Sequence, residues 1–302
     1  MKITFLSGGT GTPKLIRGFR KIIPDEDISV IVNTAEDMWI YGSHLSPDID
    51  TLLYLFSGLL NTETWWGIKG DTTITNDFLK DIGEDIYLTL GDKDRAVNIA
   101  RARMLKEGYT LTKATKNLSL KLGVSANILP MTDTEVTTNV LTKDGLIHFQ
   151  EYWVRHRGNV SIKDVVRTFN IKPSATKECL NAIENADVVI LGPSNPVTSI
   201  SPILECEGIK EALNEKIVVS VSPFISKNPI SGPAKELMEA WNIEPSSKGT
   251  YSLYREFTDI FIQDIRDEEI INSALKFDTL MVNEEVSTQL AGNILDEVRE
   301  FI

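Results

Sequence analysis

The sequence predicts an α/β fold: a doubly wound, mostly parallel sheet with helices on both faces and an inserted β-hairpin/helix subdomain. Three observations carry this. Short apolar runs alternate with amphipathic helical segments along most of the chain. The runs are rich in β-branched residues and end in Gly, Ser, Pro, Asn or Asp where a helix is about to open. One stretch, Val136 to Val154, breaks the rhythm with two apolar runs around a Lys143-Asp144-Gly145 turn.

Ile3 to Leu6 reads as the first strand, running into Ser7-Gly8-Gly9. Lys14 to Ile23 reads as a helix, with Leu15, Ile16, Phe19 and Ile22-Ile23 on one face. Ile28 to Val32 is the second strand, ending at Asn33-Thr34, and Thr51 to Leu60 is a helix entered through Ser46-Pro47-Asp48-Ile49-Asp50. Further strands are expected at Ile86 to Leu90, Asn127 to Leu129, Val188 to Leu191, Ile217 to Val221, Asp259 to Ile262 and Thr279 to Val282. The hairpin of Val136 to Leu141 and Leu146 to Val154 is followed by an expected helix over Ile162 to Phe169. Glu284 to Ile302 closes the chain as an amphipathic helix. Residues 1–134 and 181–302 thus form the expected Rossmann-like core and 135–180 the insertion. No repeats or low-complexity tracts occur.

Composition narrows the function classes. A hydrophobic fraction of 42% and a charged fraction of 25% are globular values and exclude a disordered, collagenous or coiled-coil chain. The net charge of −12 lacks the basic footprint of a general nucleic-acid binder. No apolar stretch approaches the length of a membrane span and no signal-peptide core follows Met1, so a cytoplasmic protein is expected. The two cysteines, Cys179 and Cys206, have neither zinc nor redox spacing and read as core thiols.

The chemistry gathers where strands end. Gly8-Gly9-Thr10-Gly11-Thr12-Pro13-Lys14 joins a strand to a helix, the setting in which backbone amides cradle phosphate; it also suits a plain tight turn. It is not a Walker A, because no G-K-[ST] ends it. A dinucleotide fingerprint fails too: Lys14 takes the third glycine position and Asn33, not an acid, ends the second strand. The loop from Asn33 to Thr51 concentrates Asp37, Asp48 and Asp50 with His44 and aromatics, hard oxygen donors that suit Mg²⁺ shared with substrate phosphates. Asp48 or Asp50 equally suits the cap of the helix that follows. Leu90-Gly91-Asp92-Lys93-Asp94-Arg95 either positions substrate by charge or simply opens a helix. Gly192-Pro193-Ser194-Asn195-Pro196 offers polar groups to phosphate, ribose or base, or is a turn. Trp65-Trp66-Gly67 is core or a ligand-stacking wall. His148 and His156 read as structural or exposed.

In order along the chain, Gly8 to Leu15, Asn33 to Thr51, Leu90-Gly91-Asp92, Leu129 to Asp133 and Gly192 to Pro196 resemble the 2-phospho-L-lactate transferase family of coenzyme F-420 biosynthesis. The resemblance spans nearly the whole chain, and the Asn33–Thr51 loop is its most specific part. It implies a Mg²⁺-dependent transferase. A lactyl- or phosphoenolpyruvyl-diphospho-guanosine donor gives its substituted phosphoryl group to the ribitol hydroxyl of 7,8-didemethyl-8-hydroxy-5-deazariboflavin, and GMP leaves. It further implies that Gly9, Thr10, Gly11, Thr12, Gly192, Ser194 and Asn195 hold the guanosine diphosphate. Asp50 is implied to contact the deazaflavin acceptor or its metal, with Asp37 and Asp48 near it; Asn33, Asp37 and Asp50 are then substrate-binding, Asp48 and Asp50 serve metal and catalysis, and Lys93 stands for a basic residue at substrate. Asp50 is a candidate general base, so that Asp50→Asn is expected to cut turnover and leave folding intact. A homodimer is expected. A sister family with a similar glycine loop, thought to bind UDP-sugars as a non-enzymatic regulator, lacks the Trp39–Gly42 and Ser46–Asp50 features. It is the alternative.

Overall fold

A computed structural model describes residues 1–226, 228–230, 232–269 and 271–301. Seven parallel strands form the central sheet: β1 Ile3–Ser7, β2 Ile28–Val32, β3 Asn127–Pro130, β4 Val188–Leu191, β5 Val218–Val221, β6 Ile260–Asp264 and β7 Ala274–Phe277. Their spatial order is β3-β2-β1-β4-β5-β6-β7. The chain winds outward from β1 in one direction and then, from β4, in the other. The crevice between β1 and β4 is the point at which such sheets bind ligands beyond their carboxyl ends.

The strands alternate between two cores, as the two-residue period of a strand requires. Ile3, Phe5, Val30, Val32, Val188 and Ile190 face one layer, which includes Leu15, Ile16 and Phe19 of helix α1 (Gly11–Phe19) and Leu290, Ile294 and Val298 of the C-terminal helix Glu284–Phe301. Leu6, Ile31, Val189 and Leu191 face the other, with Ile183, Ile203 and Leu213. Cys179 and Cys206 are buried there as free thiols. Helix α2 spans Pro47–Ser57, α3 Ile74–Asp81, α4 Asp92–Lys106 and α5 Leu111–Lys121.

Several elements depart from expectation. α1 begins at Gly11, inside the glycine loop, and stops at Phe19 rather than Ile23. α2 starts at Pro47, whose fixed φ suits a first turn, so Asp48 and Asp50 lie inside the helix. Ile86 to Leu90 form no strand; Tyr87 to Leu90 run irregularly along a cavity. The last sheet strand is Ala274–Phe277, not Thr279 to Val282.

Ile162 to Phe169 is not a helix. Asp164–Phe169 is a strand, antiparallel to Val136–Thr142, which also pairs with Gly145–His148. A run of that length and pattern suits either structure, and a free strand edge beside Val136–Thr142 decided between them. The second hairpin arm ends at His148, and a helical turn over Glu151–Arg155 replaces its expected continuation. This small sheet packs through Val140, Phe149, Tyr152 and Val165 against Val197, Phe224 and Leu237.

Candidate active site

The glycine loop and the Gly192–Asn195 loop meet across the β1–β4 crevice. Their contact is so close that a Cβ on Gly11 would lie 1.8 Å from the Pro193 carbonyl oxygen, and one on Gly192 2.1 Å from Thr12 Oγ1. Only hydrogen fits at either position. Ser194 ties the two loops. Its hydroxyl donates to the Gly8 carbonyl and accepts from the Thr12 amide at 3.2 Å and the Thr12 hydroxyl at 2.7 Å. Ser194 and Thr12 therefore shape the loop. Asn195 Oδ1 accepts from the amides of Val197 and Thr198, capping the next turn.

These loops form one end of a cavity of about 600 Å³, large enough for a substrate-sized ligand. Gly9, Thr10, Gly11, Ser194 and Asn195 line that end, and Asp48, Asp50 and Asp94 lie along the wall. Trp65, Trp66, Tyr87, Phe149 and Trp153 line the apolar remainder. Trp65 is buried in the core beneath the Arg17 guanidinium, 4.9 Å from its ring centre, whereas Trp66 is exposed on the cavity wall.

Asp48 closes the loop from the helix side. Its Oδ1 accepts from the Gly9 amide at 2.8 Å and its Oδ2 from Asn33 Nδ2 at 2.9 Å. The same Asn33 amide group donates to the Thr198 carbonyl at 3.2 Å, so Asn33 lies beneath the site and joins β2 to the β4 side. Burial pushes Asp48 up to about 6 against the pull of these donors. Glu36, on the cavity wall, accepts from Gln150 Nε2 at 2.8 Å; burial and the nearby Asp48 charge hold it well above the usual carboxylate range. Asp37 accepts from the Ser46 hydroxyl at 2.7 Å and lies off the cavity wall, its Oδ1 buried without a partner.

Asp50 has a different setting. Arg101 of α4, fully buried, grips both its oxygens: Nη2 bonds Oδ1, and Nη1 reaches Oδ2 and the His44 carbonyl, each at 3.1 Å. Such a fork neutralises a carboxylate. Burial, with the Arg101 charge second, lowers His44 to about 4, which keeps it neutral. Replacing Asp50 by Asn would strand a buried guanidinium, so the expectation that folding is untouched does not hold.

Asp94 completes the wall. The Tyr54 hydroxyl donates to its Oδ1 at 2.7 Å, and Asn98 Nδ2 adds a second bond at 3.0 Å. Burial, joined by the Asp50 charge, pushes Asp94 up to about 6. Lys93, its neighbour, is exposed and off the cavity; its backbone amide bonds Asp71 at 3.0 Å. The cationic role expected of Lys93 has no support here.

Taken singly, Tyr54, Arg101, Gln150 and Trp153 carry no mark of a site in the sequence, while Glu36 stands out there only as one more carboxylate of the Asn33–Thr51 loop and Asp94 only as part of a polar loop. A signal for some of them was present. Asp94, Asn98 and Arg101 are spaced i, i+4 and i+7, a polar stripe on a helix that turns out to face inward.

Fold and site together define a Rossmann-like α/β protein whose glycine loop opens onto a cavity with a second, aromatic-walled compartment. Residues 3–298 match the family described as 2-phospho-L-lactate transferase CofD. A protein named 2-phospho-L-lactate transferase from Methanospirillum hungatei is 54% identical over 97% of this chain and 99% of its own length. One of the same name from Methanocorpusculum labreanum is 54% identical over 97% and 98%. A third, from Methanocaldococcus jannaschii, is 43% identical over 97% of both chains. A solved structure of a UPF0052 family protein from Bacillus halodurans shares the fold, with a TM-score of 0.65 at 17% identity over 97% of this chain and 98% of its own. The chain belongs to the 2-phospho-L-lactate transferase (CofD) family, and with it to the transferases of coenzyme F-420 biosynthesis.

Proposed function

We propose that the chain moves a phospholactyl or phosphoenolpyruvyl group from a diphospho-guanosine donor to the ribitol hydroxyl of 7,8-didemethyl-8-hydroxy-5-deazariboflavin, with release of GMP. One observation carries this: a single cavity joins a backbone cradle suited to a diphosphate to an aromatic compartment suited to a planar ring. Gly9, Thr10, Gly11 and Asn195 are the groups presented to the nucleotide; Trp66, Tyr87, Phe149 and Trp153 are those presented to the acceptor. Transfer of this kind asks for alignment and charge compensation rather than a covalent nucleophile.

Magnesium fits the donor chemistry of the wall. Among the described residues no cluster of three or more His, Cys, Asp or Glu is placed to hold a metal by itself, so an ion here would be shared between a carboxylate and substrate phosphates. Asp48 suits that role better than Asp50, because its charge is met only by neutral donors whereas that of Asp50 is met by Arg101. Bound there, the ion would supply charge neutralisation for the diphosphate and for departing GMP.

We further propose a cytoplasmic homodimer. Among the described residues no helix is long and apolar enough to cross a membrane. Ile74, Phe78 and Ile82 are exposed on α3 and the residue after it, on one face, and offer an apolar contact. The deciding experiment follows the intrinsic fluorescence of the deazaflavin during titration with the chain, with GDP or UDP and with or without Mg²⁺. Saturable binding strengthened by GDP and Mg²⁺ is the expected result. Absence of acceptor binding, with uridine nucleotides preferred, would replace the transferase by the nucleotide-sugar-binding regulator.

A further inference from the structure

Four carboxylates line the cavity, and they differ in what their oxygens are already doing. Both oxygens of Asp50 are held by the Arg101 guanidinium. Both oxygens of Asp48 accept from the Gly9 amide and Asn33. Glu36 accepts from Gln150 at Oε2, and burial with the nearby Asp48 charge raises it well above the usual carboxylate range. Asp94 combines an idle oxygen with a carboxylate fixed by two side-chain donors, where Glu36 is held by one. Tyr54 and Asn98 occupy Oδ1, and among the described residues Oδ2 has no protein partner.

We propose that Asp94 is the general base of the transfer, receiving on Oδ2 the proton of the acceptor's attacking hydroxyl. The proposal rests on the transferase reading above. In the step, the hydroxyl oxygen forms its bond to the phosphorus of the donor and its proton passes to Asp94. The bond from that phosphorus to the bridging oxygen breaks, and the electron pair leaves with GMP. Asp94 returns its proton to solvent once the product has gone.

The surroundings of Asp94 suit this task. A base works best when its pKa lies near the working pH, and burial brings Asp94 to about 6 while leaving it ionised at pH 7. The charged and titratable groups around it are Asp50 and Tyr54 on α2, Arg101 on its own helix, and Asp71, which accepts from the Asp94 amide at 3.0 Å. The Tyr54 and Asn98 hydrogen bonds and the Arg101 charge pull it down; burial and the Asp50 charge prevail. Asp50, paired to Arg101, becomes a positioning residue: it anchors the helix face that presents Asp94.

The test is steady-state transfer onto the deazaflavin by the full chain and by Asp94→Asn, with acceptor binding followed by fluorescence. The amide should lower kcat by about 100-fold or more with acceptor and GDP binding unchanged. The wild-type profile of kcat/KM should fall on the acid side near pH 6. Tyr54→Phe, which removes a donor to Asp94 and touches no substrate phosphate, should shift that limb to higher pH, a change that a purely structural role would not cause. An active wild type with an equally active Asp94→Asn overturns this proposal alone. So does a loss confined to acceptor binding. If Asp94→Asn shows no cooperative melting, Tyr54→Phe decides, and an unmoved limb overturns it. A wild-type chain that binds no deazaflavin overturns the transferase reading and the proposed base with it.

Discussion

Arg101 is the residue on which the wall of the site depends. It is fully buried, and its carboxylate partner lies 51 positions earlier. A buried pair of this sort adds little against a hydrophobic replacement but is costly to halve, since the survivor keeps its desolvation cost. Arg101→Met and Asp50→Asn should therefore each destabilise the fold by about 3–5 kcal/mol. The double variant Asp50→Leu/Arg101→Met should recover most of that loss. Urea unfolding at neutral pH measures all three; single variants within about 1 kcal/mol of wild type would mean that the pair is screened by water that penetrates the wall.

The junction of the glycine loop with the Gly192–Asn195 loop depends on close backbone approach. Gly11→Ala would force the Pro193 carbonyl away and should cost about 2 kcal/mol or more, together with affinity for diphosphate. Gly292 is the natural control. It lies in the C-terminal helix, where an added methyl would find only Ile22 Cδ1 at 4.0 Å. Gly292→Ala should stabilise by about 0.5–1 kcal/mol through helix propensity alone. Thermal melts of the two variants should move in opposite directions; a neutral Gly11→Ala would show that the two loops part easily. The glycines could be read as a tight strand-to-helix junction from sequence, because their spacing is local. Their partner could not: nothing near Gly11 in the sequence announces Pro193, which is 182 residues away. Ile86 to Leu90 show the opposite failure. Their apolar side chains read as a strand, but in the fold the Tyr41 hydroxyl takes the amides of Tyr87 and Leu88 at 2.9 and 3.2 Å.

Across the whole molecule, the carboxylates of the cavity make stability depend on pH and on ligand. Burial raises Asp48 and Asp94 to about 6 and also raises Glu36, all above their unfolded values. In that situation the folded state binds protons more tightly than the unfolded chain. The stabilisation is complete below about pH 4, the unfolded carboxylate range, and is lost as pH rises through 6. The melting temperature should fall over that interval for these groups, opposite to the usual carboxylate trend, and Asp48→Asn should flatten the slope. GDP with Mg²⁺ should restore stability most strongly above pH 6, where Asp48 and Asp94 are ionised. Melting curves from pH 4 to 8 with and without ligand test this; a ligand effect that does not vary with pH would place the cation away from these carboxylates.

The sequence by itself determined the central sheet in outline, the glycine loop, the polar strand ends and the position of the inserted sheet. Hydrophobic period, β-branching and glycine placement act over a few residues and are written locally. Asp48 and Asp50, which line the cavity, stood out in the sequence for the same reason: they stand in a stretch dense with carboxylates after a strand. Only the tertiary structure decided what each carboxylate does. Arg101 occupies Asp50, Gly9 and Asn33 hold Asp48, Tyr54 fixes Asp94, and Lys93 is left in solvent. Charge state and reactivity follow from burial and from partners brought together by winding the sheet around the β1–β4 crevice, and those contacts have no local trace in the chain.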